Sequence, residues 1–267
     1  MLIVKESSMS ETSTTSCNSE EERGSAISRL FKSKYPQFVA LISIVAIALG
    51  GLNDTIDVVR KVQDIVLSKF TDIPSHRKLN KVYVGASSKS LDEIYGAPVY
   101  IKKKATGNLI KYYQDNRYII SSIERGGAIA AYLVFPKKGF EPRTTEHSGG
   151  EDLFSHTLAY QDPVNRFSAN ISRTNSYYIE ENAYGEFSSL YYSISGFSSF
   201  LSPTTKDNQA RLKKLADDQI FGFDTTESVR RVRENLAPNF YGYSILDIGA
   251  LEDAILSNTE YKLLNKQ

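Results

Sequence analysis

The sequence predicts an α+β protein in which an N-terminal transmembrane helix is followed by two small units, each built from a helix and an antiparallel sheet. Three observations support this prediction. A long uncharged apolar segment occupies residues 38–52. A short helix pattern and several strand patterns, with turn signals between them, follow over residues 79–140. A second mixture of strand and helix patterns occupies residues 151–267.

The apolar segment reads FVALISIVAIALGGL and predicts a transmembrane helix over residues 35–53. A span requires about 17 residues or more, and the interfacial residues before the segment bring it near this limit. The segment has no polar face of the kind that a surface helix shows. A buried core helix and a cleaved signal peptide are the alternatives, but the basic region of a signal peptide is expected close to Met1.

The charges on either side of the segment predict a single-pass topology, since basic residues precede it (Arg29, Lys32, Lys34) and acidic residues follow it (Asp54, Asp57). By the positive-inside rule, a disordered tail over residues 1–34 lies in the cytoplasm. The C-terminal portion then lies in the periplasm, outside a bacterial inner membrane. The lipid bilayer is one predicted partner. Small residues at helical spacing would allow a homodimer through the transmembrane helix, although such residues occur in any span.

An amphipathic stalk helix is predicted over residues 54–75 and ends at the sequence Asp72-Ile73-Pro74-Ser75. The first α+β unit, residues 79–140, opens with a short strand at Val82-Tyr83-Val84. A helix follows, with Ser87 or Ser88 as its N-cap, and Gly96 and Pro98 end it. Strand patterns then occupy residues 99–101, 109–114, 118–123 and 128–135.

The second α+β unit, residues 151–267, follows a polar linker over residues 137–152. Two strands are predicted over residues 176–183 and 187–195. Helices are predicted over residues 208–218, 227–236 and 248–256.

Two resemblances are visible in these patterns. Val84-Gly85, the helix through Leu91, and Gly96-Ala97-Pro98 before a set of strands resemble the small lipoprotein component of the bacterial outer-membrane assembly machinery. This resemblance covers residues 79–136 and implies a short helix followed by an antiparallel sheet. The whole chain also resembles a group of uncharacterised bacterial single-pass membrane proteins, in which a Tyr-Tyr-Ile-Glu-Glu strand, as at residues 177–181, follows such a unit. That group implies no activity.

Composition and motifs indicate no enzyme. The 32 basic residues nearly balance the 31 acidic residues, which argues against a nucleic-acid partner. Cys17 is the only cysteine, so an intramolecular disulfide and a cysteine metal site are excluded. The sequence contains no Gly-x-Ser-x-Gly motif, no phosphate-binding glycine loop, and no Ser-x-x-Lys that opens a plausible active-site helix. We therefore predict neither catalytic residues nor cofactors.

Several titratable residues are interpreted as solvated side chains and not as sites. His76, His147 and His156 lack the spacing of metal ligands, so no metal site is predicted. Glu180 and Glu181 are neighbours on a predicted strand and must point to opposite faces of the sheet. A third group, made up of Arg230, Arg231 and Arg233, is interpreted as the solvated side of a helix.

The predicted function is a membrane-anchored binding or accessory protein of the bacterial envelope that contacts an unknown protein partner. The candidate contacts are Tyr177, Tyr191 and Tyr192, because tyrosine offers a large contact area at low entropy cost. The alternative function is a membrane-embedded sensor–effector whose soluble domain lies in the cytosol. In that case Lys102, Lys103 and Lys104 would bind a ligand such as a nucleotide. Ordinary sheet packing explains the tyrosines as well, and a solvated surface explains the lysines.

Overall fold

The computed structural model describes residues 71–104, 108–147, 152–161, 163–182 and 188–264. Within these residues the strands are β1 (Tyr100–Lys103), β2 (Leu109–Gln114), β3 (Tyr118–Arg125), β4 (Ala128–Pro136), β5 (Val164–Ile171), β6 (Ser176–Asn182), β7 (Tyr192–Ser198) and β8 (Phe240–Ser244). The helices are α1 (Ile73–Leu79), α2 (Ser88–Tyr95), α3 (Lys206–Phe221), α4 (Thr226–Asn235), α5 (Ile248–Glu252) and α6 (Asn258–Leu264). Two single turns of 3-10 helix occupy Leu153–Ser155 and Leu158–Tyr160.

The strands of the described residues form one antiparallel sheet in the order β1-β2-β3-β4-β8-β7-β6-β5. The prediction of two separate small sheets is therefore wrong. The sheets are joined by β8, a strand that the sequence patterns did not predict. Its central residue Gly242 pairs with Leu133 of β4 on one side and with Ile194 of β7 on the other. One short strand thus merges the two halves, because each half would otherwise end in an edge strand with unpaired backbone groups.

The predicted transmembrane helix also needs correction. Of the helices that the structure describes, none has the length and apolarity that a membrane crossing requires. The fold class of an N-terminal transmembrane helix with two α+β units, and the description of the chain as a single-pass membrane protein, are contradicted for this part of the chain. The predicted tail (1–34), the predicted span (35–53) and most of the predicted stalk (54–70) lie outside the described residues.

The first half of the sheet follows the sequence patterns closely. Ser87 caps α2 by accepting a hydrogen bond from the Lys89 backbone N–H, and Gly96 ends the helix with a φ of 81°. The predicted hairpin between β2 and β3 is confirmed. Two predictions fail here. Pro74 lies in the first turn of α1 rather than ending a helix, because the first turn is where proline costs no hydrogen bond. No strand forms at residues 82–84, which lie in the loop between α1 and α2.

Both faces of the sheet are covered. On one face, α5 and α6 pack over a cluster that draws Leu133, Phe240, Ile194 and Ile179 from four neighbouring strands. On the opposite face, called here the second face, two clusters lie side by side. The chain around α1 and α2 covers β2, β3 and β4, while α3 and α4 cover β6 and β7. The tyrosines that β4 and β8 present on the second face belong to the cluster around α1 and α2.

Candidate ligand-binding cavity

A cavity of about 640 Å³ lies on the second face, over β4 and β8. This volume is in the range of small-molecule sites. Its floor consists of Tyr132 from β4 and of Tyr241 and Tyr243 from β8. Residues two apart on a strand point to the same face, so Tyr241 and Tyr243 share this surface. Tyr132 joins them because it pairs in register with Tyr243 across the β4–β8 ladder.

The tyrosine rings meet around Tyr243. The ring centroids of Tyr132 and Tyr243 are 5.7 Å apart with an interplanar angle of 55°. Those of Tyr241 and Tyr243 are 6.2 Å apart at 88°, and those of Tyr191 and Tyr243 are 5.1 Å apart at 71°. Edge-to-face contacts of this kind are the favoured arrangement of aromatic pairs. The four rings therefore form one interlocked aromatic wall, here called the tyrosine cluster.

The hydroxyl groups of the tyrosine cluster differ in their contacts. The Tyr132 hydroxyl donates a hydrogen bond to the Val82 carbonyl oxygen at 3.2 Å. Among the described residues, the hydroxyls of Tyr241 and Tyr243 have no hydrogen-bond partner. Burial raises the pKa of all three phenols well above the ordinary value, and the negative charge of Glu146 raises each further. All three are therefore neutral at physiological pH, and two of them keep a hydroxyl to offer a ligand.

The remaining walls come from three loops. The turn between α1 and α2 contributes one wall, the residues before β7 contribute a second, and the segment after β4 forms the rim. The first wall consists of Leu79, Asn80, Val82, Tyr83 and Val84, and the second consists of Leu190 and Tyr191. The rim consists of Arg143, Thr145 and Glu146. The rim therefore brings one cation and one anion to the cavity.

Two buried side chains anchor the rim. Thr144 Oγ1 accepts a hydrogen bond from the Leu153 backbone N–H at 2.8 Å and lies 3.0 Å from Asp152 Oδ1, to which it donates. The His147 backbone N–H donates to the Thr144 carbonyl at 2.9 Å, which closes a tight turn. Because Thr144 and His147 are buried, the residues between and beside them remain exposed at the cavity. This part of the predicted polar linker is thus fixed to the core.

His147 is not the solvated loop residue that the sequence suggested, because it is fully buried. Its Nε2 lies 2.9 Å from the Ile194 carbonyl oxygen and its Nδ1 lies 3.3 Å from the side-chain amide of Gln161. Burial lowers the pKa of His147 to about 4, so the ring is neutral at physiological pH.

The neutral ring settles the hydrogen-bond directions around Gln161. A carbonyl oxygen only accepts, so His147 Nε2 bears the single ring proton and Nδ1 must accept. The Gln161 amide nitrogen is otherwise buried without a partner. Rotating this amide by 180° directs its NH2 group to His147 Nδ1 and satisfies both groups, which makes this the assigned orientation.

Behind Gln161 lies a buried ion pair. The Arg233 guanidinium donates from Nε to Glu180 Oε2 at 2.9 Å, and Tyr178 donates to the same oxygen at 2.7 Å. The amide of Asn182 donates to Glu180 Oε1 at 3.3 Å. Ser195 Oγ lies 3.3 Å from Glu180 Oε1 and 3.2 Å from Asn182 Oδ1, and its one proton serves one of them at a time. The interpretation of Glu180 and Arg233 as solvated is therefore wrong.

This network positions residues and leaves no room for a substrate. Arg233 also donates to the Gln161 carbonyl at 2.6 Å, which connects α4 to the residue that orients His147 and the rim. Burial raises the pKa of Glu180 to about 7, against the opposing effects of the Arg233 charge and of the donors around it. Glu180 has no exposed surface. Its role is to fix the chain behind the cavity.

The three candidate tyrosines do not form one surface. Tyr177 lies in the core on the face opposite the cavity, where its hydroxyl donates to Glu252 at 2.9 Å. Tyr191 lines the cavity. Tyr192 begins β7 and is 38% exposed. Tyr177 pairs with Ser198 at the far end of β7, and Tyr192, which pairs with Ser244, does not line the cavity, so the structure brings none of the three together on one surface.

The three candidate lysines lie at the edge strand β1. Lys102 pairs with Glu260 at 2.8 Å and lies over the Tyr112 ring, 5.2 Å from its centroid. Lys104 pairs with Asp253 at 2.6 Å. Lys103 is exposed. Two of the three charges are thus engaged by carboxylates near α5 and α6.

Sequence reasoning missed most of the cavity, namely Tyr132, Tyr241, Tyr243, Arg143 and Glu146. The signal that could have found part of it is the run Phe240-Tyr241-Gly242-Tyr243, in which tyrosine alternates as on one face of a strand. In the part of the chain that the structure describes, no three or more histidine, cysteine, aspartate or glutamate residues are grouped so that they could hold a metal ion.

Comparison with known proteins gives little further information. No protein-family profile matches the chain, and no curated protein matches it. One solved structure is similar over part of the fold, an extracellular protein containing a SCP domain from Bacillus anthracis str. Ames. The similarity has a TM-score of 0.31 and 14% sequence identity, and it covers 63% of this chain and 45% of that protein. A similarity at this level supports no argument about fold or function.

Proposed function

We propose that this chain is a non-catalytic binding protein whose ligand occupies the cavity lined by the tyrosine cluster. The observation that supports this most directly is that Tyr241 and Tyr243, whose hydroxyls have no hydrogen-bond partner among the described residues, lie on the floor of a cavity of about 640 Å³. Hydroxyls that line a cavity can donate hydrogen bonds to a ligand inside it, and a few placed polar groups of this kind orient the ligand in small-molecule sites.

The walls of the cavity are also fixed before any ligand arrives. His147 and Thr144 hold the rim, and the Tyr132 hydroxyl holds the α1–α2 turn. A preorganised site loses less conformational entropy on binding, so more of the contact energy appears as affinity.

The proposal assigns no reaction to the cavity because of the chemistry of its ionisable residues. The charged lining residues among those described are the exposed Arg143 and Glu146, and the floor consists of Tyr132, Tyr241 and Tyr243, whose pKa is raised. A phenol with a raised pKa is a poor nucleophile and is seldom deprotonated at neutral pH.

Other predicted roles stay predictions. These are the unknown protein partner, the envelope location, the homodimer and the cytosolic sensor–effector alternative. The ion pairs of Lys102 and Lys104 weigh against a freely available nucleotide site at β1.

The proposal is tested by blocking the cavity from its rim. Thr145 is exposed and lines the cavity, so Thr145→Trp places an indole there without disturbing the core. Thr174→Trp, at an exposed turn between β5 and β6, is the matched control. Melting temperatures of the wild type and both variants would be measured with a panel of quaternary ammonium compounds, amino acids, monosaccharides, nucleotides and short peptides.

We expect at least one class to raise the melting temperature of the wild type and of Thr174→Trp but not of Thr145→Trp, since a ligand stabilises only the state that binds it. A panel without effect on the wild type would refute the proposal. An effect that Thr145→Trp leaves intact would refute it equally.

A further inference from the structure

Building on the proposed function, we propose that the ligand of the cavity is an organic ammonium ion, held against the rings of the tyrosine cluster beside the carboxylate of Glu146. Three rings, those of Tyr132, Tyr191 and Tyr241, surround the ring of Tyr243 with centroid distances of 5.1 to 6.2 Å. A cation is attracted to the face of a tyrosine ring within about 6 Å of its centroid.

The rings of the tyrosine cluster are steeply inclined to one another. Tyr191 and Tyr241 stand at 71° and 88° to Tyr243, so the ring planes turn through a corner instead of stacking in parallel. Rings at a corner can present more than one face to a single compact cation, as in the cages that bind quaternary ammonium groups. A flat stack of rings would present only one.

The charge at the rim has the sign that a cation requires. Glu146 lines the same cavity as the tyrosine cluster. Its negative charge also contributes, after burial, to the raised pKa of Tyr132, Tyr241 and Tyr243. The potential that disfavours a phenolate at these positions favours an ammonium ion there. The phenols stay neutral, so they do not themselves neutralise the ligand.

Arg143 lies on the same rim and would repel a bare cation that approached it. Its guanidinium instead fits an anionic group on the ligand, a few atoms from the ammonium centre. A polyanion is the less suitable ligand, because the described lining offers one guanidinium and also the carboxylate of Glu146. The chemistry that the cavity matches is therefore a compact ammonium ion, with a carboxylate or phosphate placed towards Arg143 where the ligand has one.

The test compares choline with 3,3-dimethyl-1-butanol, a neutral molecule of the same shape in which carbon replaces the charged nitrogen. Binding to the full chain would be measured by titration calorimetry, together with glycine betaine and phosphocholine to test the role of Arg143. Glu146→Gln removes the rim carboxylate, and Glu141→Gln, an exposed glutamate that does not line the cavity, is the matched control.

We expect choline to bind at least about tenfold more tightly than its neutral counterpart, given the strength of a desolvated cation–π contact. Glu146→Gln should weaken choline about tenfold and leave the neutral compound unchanged, while Glu141→Gln changes neither. Arg143→Gln should weaken betaine or phosphocholine relative to choline.

Three results would overturn this inference and leave the proposed function standing. The first is equal affinity for choline and its neutral counterpart, and the second is a choline affinity that Glu146→Gln does not change. The third is that choline does not bind, while a ligand of another class binds and is blocked by Thr145→Trp. If no compound of either set binds in the cavity, the inference and the proposed function fail together. Because Glu146 is exposed, an unchanged melting temperature of the ligand-free variant would show that it folds.

Discussion

His147 illustrates how a single residue depends on distant parts of the chain. It lies in the polar stretch that follows β4. Its two ring nitrogens nevertheless bond to the Ile194 carbonyl and the Gln161 side chain, which are 47 and 14 positions away in the sequence. Both partners are ordinary in the sequence, one a backbone carbonyl and the other a glutamine. The residue holds the rim of the cavity only because β7 and the Gln161 turn are placed around it.

The burial of His147 predicts a dependence of stability on pH. Its pKa is about 4 in the folded chain and about 6.5 when unfolded. Between these values the unfolded chain binds a proton that the folded chain does not. This stabilising contribution is therefore complete above pH 6.5 and is lost as the pH falls towards 4, by up to about 3 kcal/mol in the free energy of unfolding.

The measurement is urea unfolding of the wild type and of His147→Gln between pH 4 and pH 8. Glu180, whose folded pKa is raised to about 7, contributes in the opposite direction, since its stabilising effect is lost as the pH rises. The difference between wild type and variant cancels this contribution. That difference should shrink as the pH falls; a constant difference would contradict the prediction. His156→Gln, which leaves His147 in place, should keep the wild-type slope.

The neighbouring pair Glu180 and Glu181 shows what a local rule predicts and what it omits. Alternation along a strand predicts opposite faces, and the structure agrees, since Glu180 shares its network with Tyr178 and Asn182 on the second face. The alternation along the strand does not predict whether Glu180 and Glu181 are exposed to solvent. Both residues are buried, because helices and loops cover both faces of the sheet. Removing Arg233 would break its buried ion pair with Glu180, a loss that typically costs about 3–5 kcal/mol.

Among the secondary-structure elements, the short strand β8 both joins the two halves of the sheet and forms part of the cavity floor. It spans Phe240–Ser244, supplies two tyrosines of the cavity floor and pairs with both β4 and β7. Its Gly242 makes this possible because a Cβ there would overlap the Tyr132 carbonyl oxygen and come within 2.8 Å of Leu133 Cδ2. The same glycine weakened the strand pattern in the sequence, since glycine is depleted in strands.

We therefore expect Gly242→Ala to destabilise the protein by about 1–3 kcal/mol, the usual cost of forcing extra volume into a packed position. Urea unfolding would measure this loss. Gly249→Ala in α5 is the control, because its new methyl would lie 3.2 Å from a side-chain atom, Asp247 Oδ1, that can move. The control should stay within about 1 kcal/mol of the wild type. Equal effects of the two substitutions would contradict the assigned role of Gly242.

At the scale of the whole molecule, the described residues have one continuous sheet, with helices on both faces. The β4–β8 pairing connects the half that contains β1–β4 to the half that contains β5–β7. Since the core cluster on one face includes residues from both halves, such as Leu133 and Ile179, neither half keeps its core when the other unfolds.

This continuity predicts a single cooperative unit. In native-state hydrogen exchange, the most protected amides of β3 and β4 should open with the same free energy as those of β6 and β7, because both require global unfolding. The measurement is exchange followed by mass spectrometry of peptides from each half, under conditions where exchange reports opening equilibria. If β6 and β7 open several kcal/mol more easily than β3 and β4, the two halves are independent.

Local sequence signals are sufficient to predict the elements whose determinants lie within a few residues of one another. The N-cap at Ser87, the C-terminal Gly96 and the β2–β3 hairpin are such signals, because capping and turn formation act between neighbours along the chain. The alternation that separates Glu180 from Glu181 is local in the same sense. The helices α3 and α4 also follow from local periodicity and lie close to their predicted positions.

Three features depend on long-range packing instead: the strands form one sheet, His147 and Glu180 are buried, and a cavity lies over β4 and β8. Tyr132 and Tyr243 belong to opposite halves of the chain and meet because β4 pairs with β8. Pairing between distant strands and burial by distant helices depend on which surfaces remain after every element has packed. That competition involves the whole molecule, so no short stretch of sequence encodes its outcome.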